Sequence, residues 1–166
     1  MAKNCLLVSA GWLLTAKEDQ ACYEDWAFLI EDGIVSDMGP QKDLSVKYST
    51  TDKLALNEHV VCPGLVNCHN HAAMKLMRGL GQGLNLDDWL HQAIWPFEKE
   101  HLDAPTVGLG AELAMVEMLM SGITTFSDMY FFPETVASVA ERLGLNIQLA
   151  VPIISLDTRW ARGSEE

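Results

Sequence analysis

The sequence is short of positive charge: 11 Lys and Arg stand against 23 Asp and Glu in 166 residues, a formal net charge of −12, with no basic cluster. Such a surface repels phosphate backbones, so nucleic acid is excluded as an expected partner. No apolar run approaches the roughly 18 residues that suggest a membrane-spanning helix, and no membrane association is expected. After Met1-Ala2-Lys3-Asn4-Cys5, the opening apolar stretch is interrupted by Gly11, Lys17, Glu18 and Asp19, unlike a secretory leader. Cysteine is also scarce. Cys5, Cys22, Cys62 and Cys68 form no CxxC pair and suggest no disulfide framework, so they are expected as buried, reduced thiols of a cytoplasmic protein. Internal repeats and low-complexity tracts are absent. What remains is 49% hydrophobic and 20% charged, the balance of a soluble globular chain long enough to bury a core.

Residues 1 to about 60 read as short strands and turns, with no helix-length apolar periodicity. The best signal is Trp26-Ala27-Phe28-Leu29-Ile30, then Asp32-Gly33, then Ile34-Val35: Asp-Gly between two apolar runs is a hairpin signature. Gly39-Pro40 closes the second strand. This region is expected to be a small β module, of the β-sandwich type.

The pattern changes after Val60. The near-continuous apolar run Val60 to Val66, broken in composition only by Pro63-Gly64, leads into Asn67-Cys68-His69-Asn70-His71, and predicts a strand buried on both faces. Gly79, Gly81 and Gly83 exclude a regular helix next, and short helical turns are expected over 86–97. Asp103-Ala104-Pro105 starts a helix that Ser121-Gly122 stops. Ile123 to Met129 reads as a strand, Pro133 to Leu143-Gly144 as a helix, and Asn146 to Ile154 as a third strand. This βαβ rhythm defines an α/β protein with a parallel sheet. Three strands do not close a barrel, which takes roughly 250 residues, so the expectation is a part of a longer protein: residues 1–60 as the N-terminal module and 61–166 as the first β/α units of an incomplete barrel.

His69 and His71 stand two apart at a strand end. Side chains alternate along a strand, so both rings point the same way and can share one metal ion. HxH alone is a weak motif; its surroundings strengthen it. Pro63-Gly64-Leu65-Val66-Asn67-Cys68-His69-Asn70-His71 resembles the first barrel strand of the amidohydrolase superfamily. Met74, Leu76, Arg78-Gly79, Trp89-Leu90, Trp95-Pro96, Glu98, Thr124-Thr125-Phe126 and Asp128 through Glu134 extend that resemblance to the 5′-methylthioadenosine/S-adenosylhomocysteine deaminase branch, over essentially the whole chain.

The resemblance implies a metal-dependent (β/α)8 barrel of TIM type, with Zn2+ (iron or manganese being also compatible) held by His69 and His71. It implies hydrolytic deamination of a purine nucleoside, by a protein that is homo-oligomeric when full length. It places Glu98 where a glutamate accepts hydrogen bonds from both ribose hydroxyls. The family's remaining ligands, a histidine and an aspartate, and its acid/base glutamate come from later strands, so no catalytic residue is assigned here. Asn70 stands where close relatives usually have threonine; pointing off the metal-facing side, it is expected to matter little. Trp89 and Trp95 suit either the wall of an apolar pocket or a core. Asp128 suits either the orientation of a ligand histidine or a structural hydrogen bond. Arg159 and Arg162 follow the third strand, where some relatives bind a carboxylate, but read as exposed arginines. His59, His91 and His101 match no ligand position, and Met115, Met118 and Met120 fit a packing face. Two other readings stand beside the deaminase: another amidohydrolase, such as a guanine deaminase or a triazine chlorohydrolase, and a non-catalytic fragment needing a further segment.

Overall fold

The structure, a computed structural model, describes residues 5–17, 22–155 and 157–163. Glu18 and Asp19, which argued against a leader, lie outside them. The chain divides into two compact units, Met1–Pro63 and Gly64–Glu166.

In the first unit, β1 (Cys5–Leu14), β2 (Cys22–Glu31), β3 (Ile34–Pro40) and β4 (Asp52–Val61) form one sheet in the order β3-β2-β1-β4. The β1–β2 and β2–β3 pairs are antiparallel and β1–β4 is parallel. The expected hairpin is there. Asp32 and Gly33 both take positive φ, 49° and 84°, and Glu31 pairs with Ile34 across a two-residue loop. Helix α1 (Gln41–Lys47) was not expected: at seven residues it is too short to register as a period, and only Leu44 is buried from it. Leu44 packs on Leu7, Ala27 and Leu29, while Asp37 accepts from Lys47 Nζ and Tyr48 Oη, each at 2.7 Å, and pins the helix end. The described residues make a single sheet with one helix on it; the second sheet of a sandwich is not among them. Strand count in a sequence does not reveal how many layers the strands form.

The second unit holds β5 (Leu65–Asn70), β6 (Ile123–Met129) and β7 (Asn146–Ala150), parallel in the order β5-β6-β7. Between β5 and β6 the chain passes through α2 (Leu86–Trp89), α3 (Trp95–His101) and the long helix α4 (Ala104–Met120), and α5 (Pro133–Leu143) connects β6 to β7. Asp103 caps α4 by accepting the Thr106 N–H at 2.8 Å, and Gly144 ends α5 in the left-handed conformation. Phe126, Met115, Met118, Val107, Val136 and Tyr130 lie in the core between sheet and helices.

Four expectations need correction here. The Val60–Val66 run is not one strand: β4 ends at Val61 and β5 starts at Leu65, separated by Pro63-Gly64. Leu65 and Val66 are 57% and 60% exposed rather than buried on both faces, because β5 is an edge strand paired only with β6. The third strand stops at Ala150, since Pro152 has no N–H for a ladder bond. The helical turns over 86–97 instead run together: α2, a π turn (Leu90–Ile94) and α3 follow without a break. The π turn, where Trp95 N–H reaches the Leu90 carbonyl, lets the chain pass Pro96 without ending the helix. Side-chain burial differs too. Cys22, Cys62 and Cys68 are exposed, the first two at or beyond strand ends and Cys68 within β5, and all four cysteines are free. Met115 and Met118 face the core, but Met120 is 84% exposed at the last turn of α4.

One packing detail fixes the ground under the histidines. After His71 the chain forms a 3-10 helix (Ala72–Met77), and α4 lies against it at Gly110, where a Cβ would stand 2.4 Å from the Ala73 carbonyl oxygen. Only glycine permits that approach. Gly110→Ala is expected to destabilise the second unit by about 1–3 kcal/mol, the usual range for overpacking; a denaturation midpoint unchanged from wild type would refute this.

Candidate metal centre and adjoining cleft

His69 is the penultimate residue of β5 and His71 the first beyond it. Their rings lie on one side with centroids 5.1 Å apart and planes at 78°, edge to face. His71 Nδ1 lies 2.6 Å from the Met129 carbonyl oxygen. A carbonyl only accepts, so Nδ1 carries a proton, and in the neutral ring Nε2 is then the nitrogen with a lone pair to offer a metal. The His69 backbone is held by its N–H donating to Asn67 Oδ1 at 3.2 Å. Two imidazoles are half of a tetrahedral donor set, and among the described residues no third His, Cys, Asp or Glu joins them.

Asp128, near the end of β6, is 1% exposed. Its Oδ1 accepts the Ala72 N–H at 2.7 Å, tying down the backbone just past His71 rather than the His71 ring itself. Burial raises its carboxyl pKa, opposed by that hydrogen bond and by His71.

Glu98 lies midway along α3, and its Oε1 accepts from Tyr130 Oη at 2.6 Å. Its pKa is raised: desolvation by burial outweighs the lowering by Tyr130 and by His71. Tyr130 itself is pushed far above the ordinary phenol range, first by burial and then by the Glu98 carboxylate, and stays protonated as a donor. A cleft of about 260 Å³ brings His71, Glu98, Tyr130 and Trp89 together between Ile94 and Ile154. Trp89 both lines it and packs on the core, its indole Nε1 donating to the Leu80 carbonyl at 2.9 Å. Trp95, Glu98, Phe131 and Ile154 also border a second cavity of about 470 Å³, which reaches Asp157 and Arg159. His69 and Asp128 line neither space.

Two participants were not anticipated from sequence. Tyr130 entered only as part of the Asp128 to Glu134 run that carries the resemblance, with no role of its own. Arg159, read as an exposed arginine, is exposed and also anchored: it donates to the Leu102 carbonyl at 2.6 Å and the Glu100 carbonyl at 3.2 Å, closing the C-terminal end of the helix that carries Glu98. Nothing local in sequence reports a contact across 57 residues.

The strand-end histidine pair thus stands close to a buried carboxylate on a parallel α/β sheet, and residues 60–166 match the amidohydrolase family model. The chain belongs to the amidohydrolase family. It is 41% identical over 161 residues to the 5-methylthioadenosine/S-adenosylhomocysteine deaminase of Saccharophagus degradans, covering 97% of this chain and 36% of that protein. To the 5′-deoxyadenosine deaminase of Methanosarcina mazei it is 38% identical, covering 91% and 34%. Among solved structures, a zinc-bound adenosine deaminase from Xanthomonas campestris superposes with a TM-score of 0.93 at 32% identity, over 96% of this chain and 36% of that one. The zinc complex of atrazine chlorohydrolase from Arthrobacter aurescens does so at 0.80 and 21% identity, over 92% and 36%, a likeness of fold alone. The chain thus spans little more than a third of the length of these relatives. Among the described residues no helix is long and apolar enough to cross a membrane.

Proposed function

We propose that His69 and His71 are two ligands of a divalent metal ion, zinc in the first instance, in a site that hydrolyses the amino group of a purine nucleoside to release ammonia. The remaining ligands and the acid/base carboxylate then come from outside these 166 residues, as the relatives' uncovered two thirds would supply them. The observation that carries the reading is the His71 Nδ1 bond to Met129, which leaves Nε2 as a ligand at the cleft that Glu98 lines. A bound zinc ion supplies a Lewis acid that makes water a nucleophile near neutral pH.

The residues of this chain do the rest of their work by binding and orientation. Glu98 receives the ribose: Tyr130 occupies one lone pair of Oε1, and Oε2 with the second lone pair of Oε1 remains for a vicinal diol. Trp89 and Ile94 give the purine apolar walls, and Trp95, Phe131 and Ile154 give a 5′ thioether the same, which fits 5′-methylthioadenosine or S-adenosylhomocysteine. Asp128 acts at one remove, through the backbone at Ala72. We also take residues 64–166 as the first units of a (β/α)8 barrel, and the first unit as one layer of a β-sandwich. The large exposed apolar side chains of β3 and β4 on the face away from α1 (Val35, Leu54 and Val60) support a second layer there.

A chimera of residues 1–166 followed by the rest of the Saccharophagus degradans relative tests this. It is expected to retain zinc and to release ammonia from 5′-methylthioadenosine or S-adenosylhomocysteine; inactivity on every adenosine derivative sinks the proposal. The 166-residue chain alone is expected to show neither stoichiometric zinc nor turnover, because two histidines fall short of the three ligands plus water of a catalytic site. Metal analysis of the purified chain decides that point.

A further inference from the structure

Two buried polar atoms under the histidine pair have no partner among the described residues, and they are chemically complementary. One is Asp128 Oδ2, an acceptor on a side chain that is 1% exposed. The other is Asn70 Nδ2, a donor. Asn70 and Asp128 are register partners on the parallel strands β5 and β6, so their side chains leave adjacent positions on the same face of the sheet. Buried donors and acceptors are nearly always paired, and a lone carboxylate oxygen beside a lone amide is costly for both.

We infer that Asn70 and Asp128 form a coupled pair, Asn70 Nδ2 donating to Asp128 Oδ2 through one bridging water, and that this pair positions His71. The consequence follows from chain order. Asp128 Oδ1 holds Ala72, the residue after His71, and in the proposed pair Oδ2 holds Asn70, the residue before it. The ring of His71 is held by the carbonyl of Met129, the neighbour of Asp128. Backbone on both sides of the histidine and its imidazole are then fixed by two consecutive residues of β6. Asn70, expected from the sequence to matter little, becomes a positioning residue whose role is independent of facing the metal. The functional meaning rests on the metal reading of His69 and His71; the coupling itself does not.

The experiment uses four proteins beside wild type: Asn70→Leu, Asn70→Asp, Asp128→Asn, and the exchange Asn70→Asp with Asp128→Asn. In the 166-residue chain, NMR follows the His71 Nδ1–H resonance and hydrogen exchange at Ala72; in the chimera, zinc retention against a chelator series is measured well below the unfolding temperature. Each single change is expected to weaken zinc retention by about 10- to 100-fold, the range for residues that orient a ligand, and to broaden the His71 signal. Asn70→Asp, which sets two carboxylates face to face, should be worst. The exchange restores one donor and one acceptor and should recover most of the loss. Unchanged zinc retention and NMR signals in the single variants overturn the proposal, as does an exchange no better than the worse single change. Should Asp128→Asn fail to fold, the two Asn70 variants still decide it. Should wild-type chimera hold no zinc, the metal reading fails while the NMR comparison still tests the pair.

Discussion

His71→Ala in the zinc-loaded chimera is expected to release the metal and lower kcat/KM by at least about 10³-fold. Losing the Lewis acid removes several kcal/mol of transition-state stabilisation, and each ~1.4 kcal/mol is a factor of ten. The fold should survive, because the ring is only partly buried and makes a single hydrogen bond, to Met129. Zinc content by metal analysis and far-UV circular dichroism together check this. His71→Asn is an informative companion, since it removes the metal-binding nitrogen with a smaller loss of volume. If either variant keeps stoichiometric zinc and activity, His71 is not a ligand. His69→Ala is expected to lose the metal in the same way.

Glu98→Gln separates substrate binding from metal binding. Glutamine keeps an oxygen to accept from Tyr130 but removes the charge that strengthens hydrogen bonds to a diol. With charge-assisted bonds worth about 1.5–3 kcal/mol, kcat/KM for ribonucleosides should fall roughly 10- to 10³-fold while zinc content stays at wild-type level. Substrates lacking the 2′- or 3′-hydroxyl should lose less. Equal losses for nucleosides with and without the diol would refute the ribose role.

The pH dependence has a definite sign. Burial raises the Glu98 pKa above its ordinary 4.5. Activity that needs the carboxylate should therefore fail on the acid side at a higher pH than an exposed glutamate would give, and that limb should be missing from the pH profile of E98Q. Stability runs the other way. A carboxyl whose pKa is raised on folding contributes stability fully present below 4.5 and lost as pH rises through the folded value. Above the folded value the buried charge is a burden, so E98Q should be at least as stable as wild type there. Thermal melts of wild type and E98Q at a series of pH values from 4.5 upward test that sign.

Several features of this protein were legible because they follow from local rules. Asp32-Gly33 had to turn, Asp103 and Gly144 had to bound helices, and β-strand alternation put His69 and His71 on one side. The residues around Pro63-Gly64 and the histidines pointed to the amidohydrolase family, to which residues 60–166 belong. The limits were equally physical. An apolar run shows that a segment prefers burial, not where a proline will interrupt it or whether a second strand will cover it, so the 60–66 and 146–154 readings ran too long. A π turn that accommodates Pro96 depends on a hydrogen bond shifted by one residue, which composition does not encode.

The sequence by itself determined the family, because the residues around His69 and His71 carry its pattern over residues 60–166, and with it the two residues proposed as metal ligands. Only the tertiary structure decided which tautomer His71 carries, why Glu98 resists ionisation, and what Asn70 and Asp128 do. Those properties are set by groups far apart in the chain: Met129 is 58 residues from His71, Tyr130 is 32 from Glu98, and Asp128 is 56 from Ala72. Proton position and pKa answer to the nearest dipole and the local dielectric, and folding alone brings those neighbours together.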